Sequence, residues 1–289
     1  MRHIRAYGLV GLAGLAIAAV AYAQSTVPAA PAKDSKPAAA APAAPASKAG
    51  QDPNAYAELA KTHWGDAKAG AAKAGACAAC HGLDGNATAN PALYPRIAGQ
   101  SELFVAKQLA LFKAGLRTDG NASLMIPYAQ ALSPQDMRDL GAYFQTQHSG
   151  AGIADDTAIT SGPYEGKKLY QVGEKLYRQG DAGRGIVACT ACHGPAGDGN
   201  PGPAYPHVGG QQSWYVEMRL TEYRGGQSTL KDDKLFGLMA LETKNLSDEE
   251  IKGLATYLQG LHNRADQASP ADVAAAKAAA AASPQPSKN

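Results

Sequence analysis

The chain has little net charge, few cysteines, and no convincing segment in which apolar and polar residues alternate as in a half-buried strand. Its formal net charge is +2 over 289 residues, and no strongly basic face that would favour nucleic acid emerges. No cluster of Lys and Arg indicates an anionic lipid surface either. Because strand patterns are missing and helix patterns are frequent, the sequence predicts an all-α fold.

The four cysteines of the chain all belong to one repeated motif. The two copies are Cys77-Ala-Ala-Cys80-His81 and Cys189-Thr-Ala-Cys192-His193. Cys-x-x-Cys-His is the attachment signature of c-type haem, in which each sulfur joins one vinyl group and the histidine is the proximal iron ligand. A disulfide framework gives no reason for the histidines, and paired zinc knuckles lie only about 15–20 residues apart. The sequence therefore predicts two covalently bound haem c groups.

Residues 1–23 have the pattern of an export signal. Arg2 and Arg5 precede an uncharged stretch, and Ala21-Tyr22-Ala23 matches a small-x-small cleavage site. Covalent haem attachment implies assembly outside the cytoplasm, so we expect an exported protein. The uncharged stretch has 18 residues, the lower limit for crossing a bilayer, so an uncleaved anchor and membrane association stay open.

Between two low-complexity tails, one sequence pattern occurs twice. Tyr94–Gln100 returns as Tyr205–Gln211, at nearly the spacing that separates the two haem motifs, which indicates two homologous domains. The Ala- and Pro-rich composition of the tails predicts disorder. The predicted parts are a signal peptide at 1–23, a linker at 24–54, a first domain at 55–148, an interdomain linker at 149–163, a second domain at 164–264 and a tail at 265–289.

Helix signals stand at equivalent places in the two copies. Ser133 is a good N-cap, and Ser247 with Glu250 forms a capping box. Apolar residues at helical spacing follow each serine. A second pair of helices precedes them in the two copies and is predicted to stop at Gly115 and at Gly225.

Met125 and Met239 are the predicted second ligands of the two irons, opposite His81 and His193. Each methionine stands eight residues before the capping serine of its copy, and this equivalence favours ligation over a packing role. A His/Met pair raises the iron potential and leaves no open coordination position, which indicates one-electron transfer rather than catalysis. The sequence around Met239 departs from the pattern, because Met125 has a proline two residues further on and Met239 has none.

The other histidines and methionines are poorly placed as iron ligands. Met137 and Met218 fall within helical patterns and are predicted to pack. His63, His148 and His262 are predicted to be surface or capping groups. His207 aligns with Arg96, so we expect it near a haem edge.

Taken together, these residues resemble dihaem class I cytochromes c of the cytochrome c4 type, over roughly residues 65–262. The similarity includes Leu132–Phe144 and its counterpart as well as the motifs above. The resemblance implies two tandem cytochrome c domains, each wrapped around one haem, with the haem propionates facing across the domain boundary. It also implies that the carbonyls of Pro95 and Pro206 accept hydrogen bonds from the proximal imidazoles.

The function implied by the resemblance is that of a periplasmic electron carrier. Its expected partners are a respiratory-chain donor and a terminal oxidase. Two alternatives stay open. A dihaem oxidoreductase of the peroxidase or thiosulfate-oxidising type would need an exchangeable haem ligand, which the paired methionines argue against. A cytochrome subunit of a membrane dehydrogenase complex would transfer electrons without chemistry of its own. The sequence makes no prediction of the oligomeric state.

Overall fold

Helices provide the regular structure of the computed structural model, which describes residues 55–117, 120–226 and 233–263. The first half (55–148) contains α1 (Ala55–Leu59), α2 (Ala67–Lys73), α3 (Gly75–His81), α4 (Glu102–Lys113), α5 (Ala122–Gln130) and α6 (Pro134–Gln145). The second half (164–263) contains α7 (Leu169–Gln179), a 3₁₀ turn (Ala182–Arg184), α8 (Thr190–His193), α9 (Ser213–Arg224), α10 (Lys234–Thr243) and α11 (Asp248–Gly260). Within the described ranges, β-structure is limited to isolated bridges, so the all-α prediction is confirmed.

The two halves repeat one packing scheme. The last helix of each half, α6 or α11, packs on the first long helix, α2 or α7, and on α4 or α9. Where α2 packs on α6 and α7 packs on α11, the backbones are so close that only glycine fits at the contact. A Cβ on Gly70 would lie 2.0 Å from the Asp139 carbonyl oxygen, and a Cβ on Gly173 would lie 2.0 Å from that of Gly253.

The predicted helix ends agree with the structure. Ser133 and Ser247 cap α6 and α11, and in both cases the third residue of the helix completes a capping box with its own carboxylate. Helix α4 ends just before Gly115, and α9 is followed by Gly225 and Gly226. Gly115 and Gly226 have φ of +67° and +62°, the left-handed conformation that commonly terminates a helix.

The segment between the halves is bonded to both of them. The Gly150 amide donates to Asn86 Oδ1 at 2.7 Å in the first half, and the Gly152 amide donates to the Gln259 carbonyl at 2.8 Å in the second. All described residues belong to one compact unit. None of their helices is both long and apolar enough to cross a membrane. The predicted signal peptide, N-terminal linker and C-terminal tail lie outside the described residues.

Candidate functional site

Each motif histidine is the last residue of a short helix, His81 of α3 and His193 of α8. The glycine that follows, Gly82 or Gly194, has φ of 75° or 77° with an extended ψ. That region of backbone conformation is essentially restricted to glycine. The glycine after each motif therefore ends the helix and turns the chain away directly beyond the histidine.

Both imidazoles are oriented by a proline carbonyl. His81 Nδ1 lies 2.9 Å from the Pro95 oxygen, and His193 Nδ1 lies 3.0 Å from the Pro206 oxygen. These are the contacts that the resemblance implies. A carbonyl can only accept a hydrogen bond, so Nδ1 carries the proton and, in the neutral ring, Nε2 keeps its lone pair. This is the tautomer that a metal-binding histidine needs.

The proline loops are held in place by the loops that follow the haem motifs. Two residues beyond Pro95, the Ile97 amide donates to the Gly85 carbonyl at 2.8 Å. The corresponding bond in the second half runs from Val208 to Gly197 at 2.7 Å. Each motif therefore positions the acceptor for its own histidine through a short local loop.

Burial keeps the two histidines in the neutral form. It lowers the pKa of both His81 and His193 below the ordinary value of 6.5, and the hydrogen bonds to Pro95 and Pro206 act in the opposite direction without cancelling the effect. The exposed fractions of the two residues are 6% and 7%. Their Nε2 lone pairs are thus available to a metal at neutral pH.

One cavity of about 980 Å³ brings the predicted site residues together. Its wall is mostly apolar and comes from both halves, and its volume is near the upper end of the usual range for ligand pockets. The wall includes Cys77, Cys80, His81, Pro95, Met125, Cys189, Cys192, His193, Pro206 and Met239.

The two methionines lie at equivalent points of this wall. Met125 is on α5 and packs against the cluster that includes Phe112, whereas Met239 is on α10 and packs against the large core cluster of the second half. Both side chains are half-buried. By contrast, Met137 is buried in a separate cluster of the first half, which confirms its predicted packing role.

The four cysteines form no disulfide with one another. Burial raises the pKa of the Cys77 thiol, and it raises that of Cys189 to about 11. Such thiols are poor nucleophiles at neutral pH. This argues against a thiol-exchange role and is compatible with sulfurs that serve as attachment points.

Arg96 tests whether the cavity fits a haem, which carries anionic propionates. Arg96 lines the cavity, and its Nη1 donates to the Gly210 carbonyl of the other half. Its Nε is buried and has no hydrogen-bond partner. A buried cationic donor of this kind is costly unless an anion satisfies it. The cavity thus combines neutral histidines, thioethers, attachment thiols and a buried guanidinium with one N–H still unpaired, and this donor set fits haem c.

The matching family model is that of cytochrome c, over residues 67–148 and 165–262. Cytochrome c4 of Azotobacter vinelandii is 39% identical over 204 residues, which cover 68% of this chain and 90% of the relative. The chain belongs to the cytochrome c4 family. A crystal structure of reduced cytochrome c4 from Pseudomonas stutzeri aligns with a TM-score of 0.58 at 38% identity, and the match covers all of that chain. A thiosulfate dehydrogenase electron acceptor of Stutzerimonas stutzeri is 35% identical over 183 residues, which cover 77% of that protein.

Membership of the cytochrome c4 family confirms several predictions made from the sequence. The chain has two cytochrome c domains and two covalently bound haem c groups. It is an electron-transfer protein and a carrier rather than an enzyme.

Of the other described histidines, His63, His148 and His262 do not line the cavity, whereas His207 does. His63 Nδ1 bonds to the Trp64 carbonyl, and His262 Nδ1 bonds to the Gly260 carbonyl at the end of α11. His148 follows α6, and its carbonyl accepts from Asn86. His207 lines the cavity, as expected of a residue near a haem edge, and its Nε2 lies 3.0 Å from the Gly209 carbonyl.

The residues that join the two halves of the chain were not identified from the sequence. Gln100 and Gln211 each bond to the backbone of the opposite half, and Lys107 forms an ion pair with Asp233. The glutamine that ends both copies of the Tyr-Pro pattern was a signal in the sequence that could have pointed to Gln100 and Gln211. Nothing in the sequence links Lys107 to Asp233.

Proposed function

We propose that this chain is a periplasmic carrier of single electrons in which both haems have His/Met axial ligands. The observation that carries the proposal is the shared cavity wall. It contains two motif histidines with their Nδ1 atoms bonded to proline carbonyls, and two methionines on equivalent helices. When bound, the haem irons supply one-electron oxidation and reduction.

The side chains of the chain then have distinct roles. Cys77, Cys80, Cys189 and Cys192 attach the two haems covalently. His81 and His193 are the proximal ligands, and the carbonyls of Pro95 and Pro206 hold each ring in the Nδ1–H tautomer. Met125 and Met239 would hold the two irons through their thioether sulfurs and so would leave no exchangeable ligand, as electron transfer without substrate binding requires. Arg96 supplies a cationic donor for a propionate.

The ligand assignment is tested by the far-red absorption of the oxidised protein, where Met–Fe(III) charge transfer absorbs. We expect a band equivalent to two haems in the parent protein and to one haem in each of the variants Met125→His and Met239→His. Haem content, measured in parallel, shows that both haems are still attached. A parent band that accounts for only one haem would contradict the assignment of one methionine.

For partners, we propose a respiratory-chain donor and a terminal oxidase as acceptor. A second candidate donor is a thiosulfate dehydrogenase, since a relative of 35% identity is named as the electron acceptor of such an enzyme. The membrane dehydrogenase alternative stays as a third arrangement, with the chain acting as a permanent subunit.

Rapid-mixing kinetics separate these donors. The oxidised protein is mixed either with a purified quinol-oxidising complex and quinol, or with a thiosulfate dehydrogenase and thiosulfate, and haem reduction is followed. The reduced protein is then mixed with membranes that contain a terminal oxidase. We expect rapid, salt-dependent reduction by the quinol system and reoxidation by the oxidase. Faster reduction by the thiosulfate system would favour the second candidate.

A further inference from the structure

The helix that carries Met239 is bonded at its start to a residue of the other half. Asp233 is the N-cap of α10, and its Oδ1 accepts a hydrogen bond from the Leu235 amide at 3.1 Å. The same oxygen accepts from Lys107 Nζ of α4 at 2.9 Å. Only 11% of the Lys107 side chain and 14% of the Asp233 side chain are exposed. The first half therefore contributes a largely buried ion pair to the first turn of α10.

The equivalent contact, from the second half to the start of α5 in the first half, is apolar. Lys107 aligns with Met218 when the two Tyr-Pro patterns are superposed. Met218 packs against Gly120, close enough that a Cβ there would lie only 2.3 Å from its sulfur. Gly120 directly precedes Asn121, which caps α5 without a side-chain hydrogen bond. Each half thus contacts the start of the methionine helix of the other, and among the described residues the contact from Lys107 is an ion pair whereas the contact from Met218 is apolar.

The position of this ion pair matters for Met239 because helix ends fray. The N-cap bond satisfies one of the orphan amides of the first turn, so its loss weakens the start of the helix. Met239 lies six residues beyond Asp233, about 9 Å along the helix at 1.5 Å per residue. Met239 also lacks the following proline that stiffens the chain after Met125. Fraying at the start of α10 would therefore act directly on the Met239 side chain.

We propose that Lys107 is a positioning residue of the second haem: through Asp233 it fixes the start of α10 and so keeps Met239 on the iron. The proposal rests on the proposed function, because it takes Met239 to be the axial ligand. In this arrangement the first domain controls the ligand stability of the second haem. The first haem has no charged counterpart of this contact from the aligned position, which holds Met218.

The test measures the far-red Met–Fe(III) band as the pH is raised, when other ligands displace methionine. Lys107→Met, which introduces the residue of the aligned position, is compared with Lys107→Arg, which keeps the charge. Both are made in the Met125→His background, where the band reports the second haem, and in the Met239→His background, where it reports the first.

Lys61→Met is the charge control, since Lys61 forms an exposed ion pair with Glu58. Trp214→Phe is the control for loss of one contact between the halves, since Trp214 Nε1 donates to the Pro91 carbonyl.

We expect Lys107→Met to weaken methionine binding at the second haem about tenfold, the middle of the range for coupling between residues in contact. The pH midpoint of band loss then falls by about one unit, because each tenfold change corresponds to one unit. Lys107→Arg should restore the parent midpoint, while the first haem and both control variants stay unchanged. An unchanged second haem in Lys107→Met, or equal shifts at both haems, would overturn the proposal.

Asp233→Asn keeps the test decisive if Lys107→Met fails to assemble. Asparagine is as good an N-cap as aspartate, so this variant removes the charge and retains the cap. We expect it to lower the midpoint at the second haem too, and an unchanged midpoint would overturn the proposal. Failure of the proposed function looks different. In that case the Met125→His protein with Lys107 intact has no far-red band at any pH.

Discussion

Gln100 and Gln211 make the same pair of hydrogen bonds in opposite directions across the boundary between the halves. The Gln100 amide donates to the His207 carbonyl at 2.6 Å and accepts from the His207 amide at 3.1 Å. The Gln211 amide donates to the Arg96 carbonyl at 2.8 Å and accepts from the Arg96 amide at 2.9 Å. Arg96 and His207 directly follow the prolines that bind the proximal histidines. The boundary therefore joins the proximal sides of the two haem sites to each other.

Replacing Gln100 by alanine should destabilise the protein through this boundary. The change removes two hydrogen bonds and leaves the His207 amide and carbonyl without these partners. At about 0.5–1.5 kcal/mol per bond, the expected loss is about 1–3 kcal/mol in the free energy of unfolding, measured by urea titration. Gln130→Ala, which removes an exposed bond to the Lys113 carbonyl, serves as the control and should cost less. Equal losses would show that the boundary bonds contribute no more than a surface bond.

Gly173→Ala should destabilise the second domain strongly. The added Cβ would lie 2.0 Å from the Gly253 carbonyl oxygen, so α7 and α11 would have to move apart. Overpacking of this kind costs about 1–3 kcal/mol or more. Gly237 on α10 provides the matched control, since a Cβ there meets nothing within 4 Å. Gly237→Ala should instead stabilise its helix, by up to about 1 kcal/mol. Thermal unfolding measures both, and a neutral Gly173→Ala would mean that the crossing adjusts freely.

Stability should fall in acid through the capping carboxylates of the two last helices. Burial alone would raise the pKa of Glu250, but hydrogen bonds from Arg184, Tyr164 and the Ser247 amide outweigh it and the pKa is lowered from 4.5. A hydrogen bond from Ser133 is the main cause that lowers the pKa of Asp136 from 3.8 to about 2. Depressed carboxyl pKa values stabilise the folded state above the unfolded pKa, and this stabilisation is lost as the pH falls through the folded value.

The variant Glu250→Gln isolates one of these carboxylates. At pH 7 it should be less stable than the parent, because Arg184 loses its charged partner Glu250 at 2.5 Å and keeps only Asp181, at 2.7 Å, of the two carboxylates it pairs with in the described residues. The expected cost is about 1–3 kcal/mol, below that of a fully buried pair, since 38% of the Arg184 side chain is exposed. The difference between the two proteins should shrink as the pH drops below about 4.5. If the free energies of unfolding of the parent and the variant differed by the same amount from pH 7 to pH 3, protonation of Glu250 would not be linked to stability.

Removing both thiols of one motif should remove one covalent haem and leave the other. Thioether attachment needs the cysteine sulfurs themselves, so Cys77→Ala with Cys80→Ala should give a protein that carries a single haem in its second domain. The reciprocal change at Cys189 and Cys192 should leave the haem of the first domain. Intact mass under denaturing conditions counts the attached haems. Loss of both haems from either double variant would show that the two domains mature as one unit.

The sequence alone was sufficient for those features whose determinants lie close together in the chain. A Cys-x-x-Cys-His motif places its attachment and ligand groups within one or two helical turns, so its spacing reports the chemistry directly. The N-caps at Ser133 and Ser247 depend on residues three positions apart. The repeat itself indicated two domains, and the equivalent places of Met125 and Met239 followed from it. All of these patterns depend on residues that are close in the sequence, so the sequence is sufficient to predict them.

The tertiary structure decided how the two domains act on each other. Lys107 and Asp233 are 126 residues apart, and their ion pair depends on how α4 packs against the start of α10. The same is true of Gln100 and His207, which are 107 residues apart. No spacing rule predicts such pairs, because the register between two packed domains is set by the shape of both surfaces at once. The folding of each half around its own haem motif could therefore be predicted from the sequence, whereas the contacts between the two halves could not.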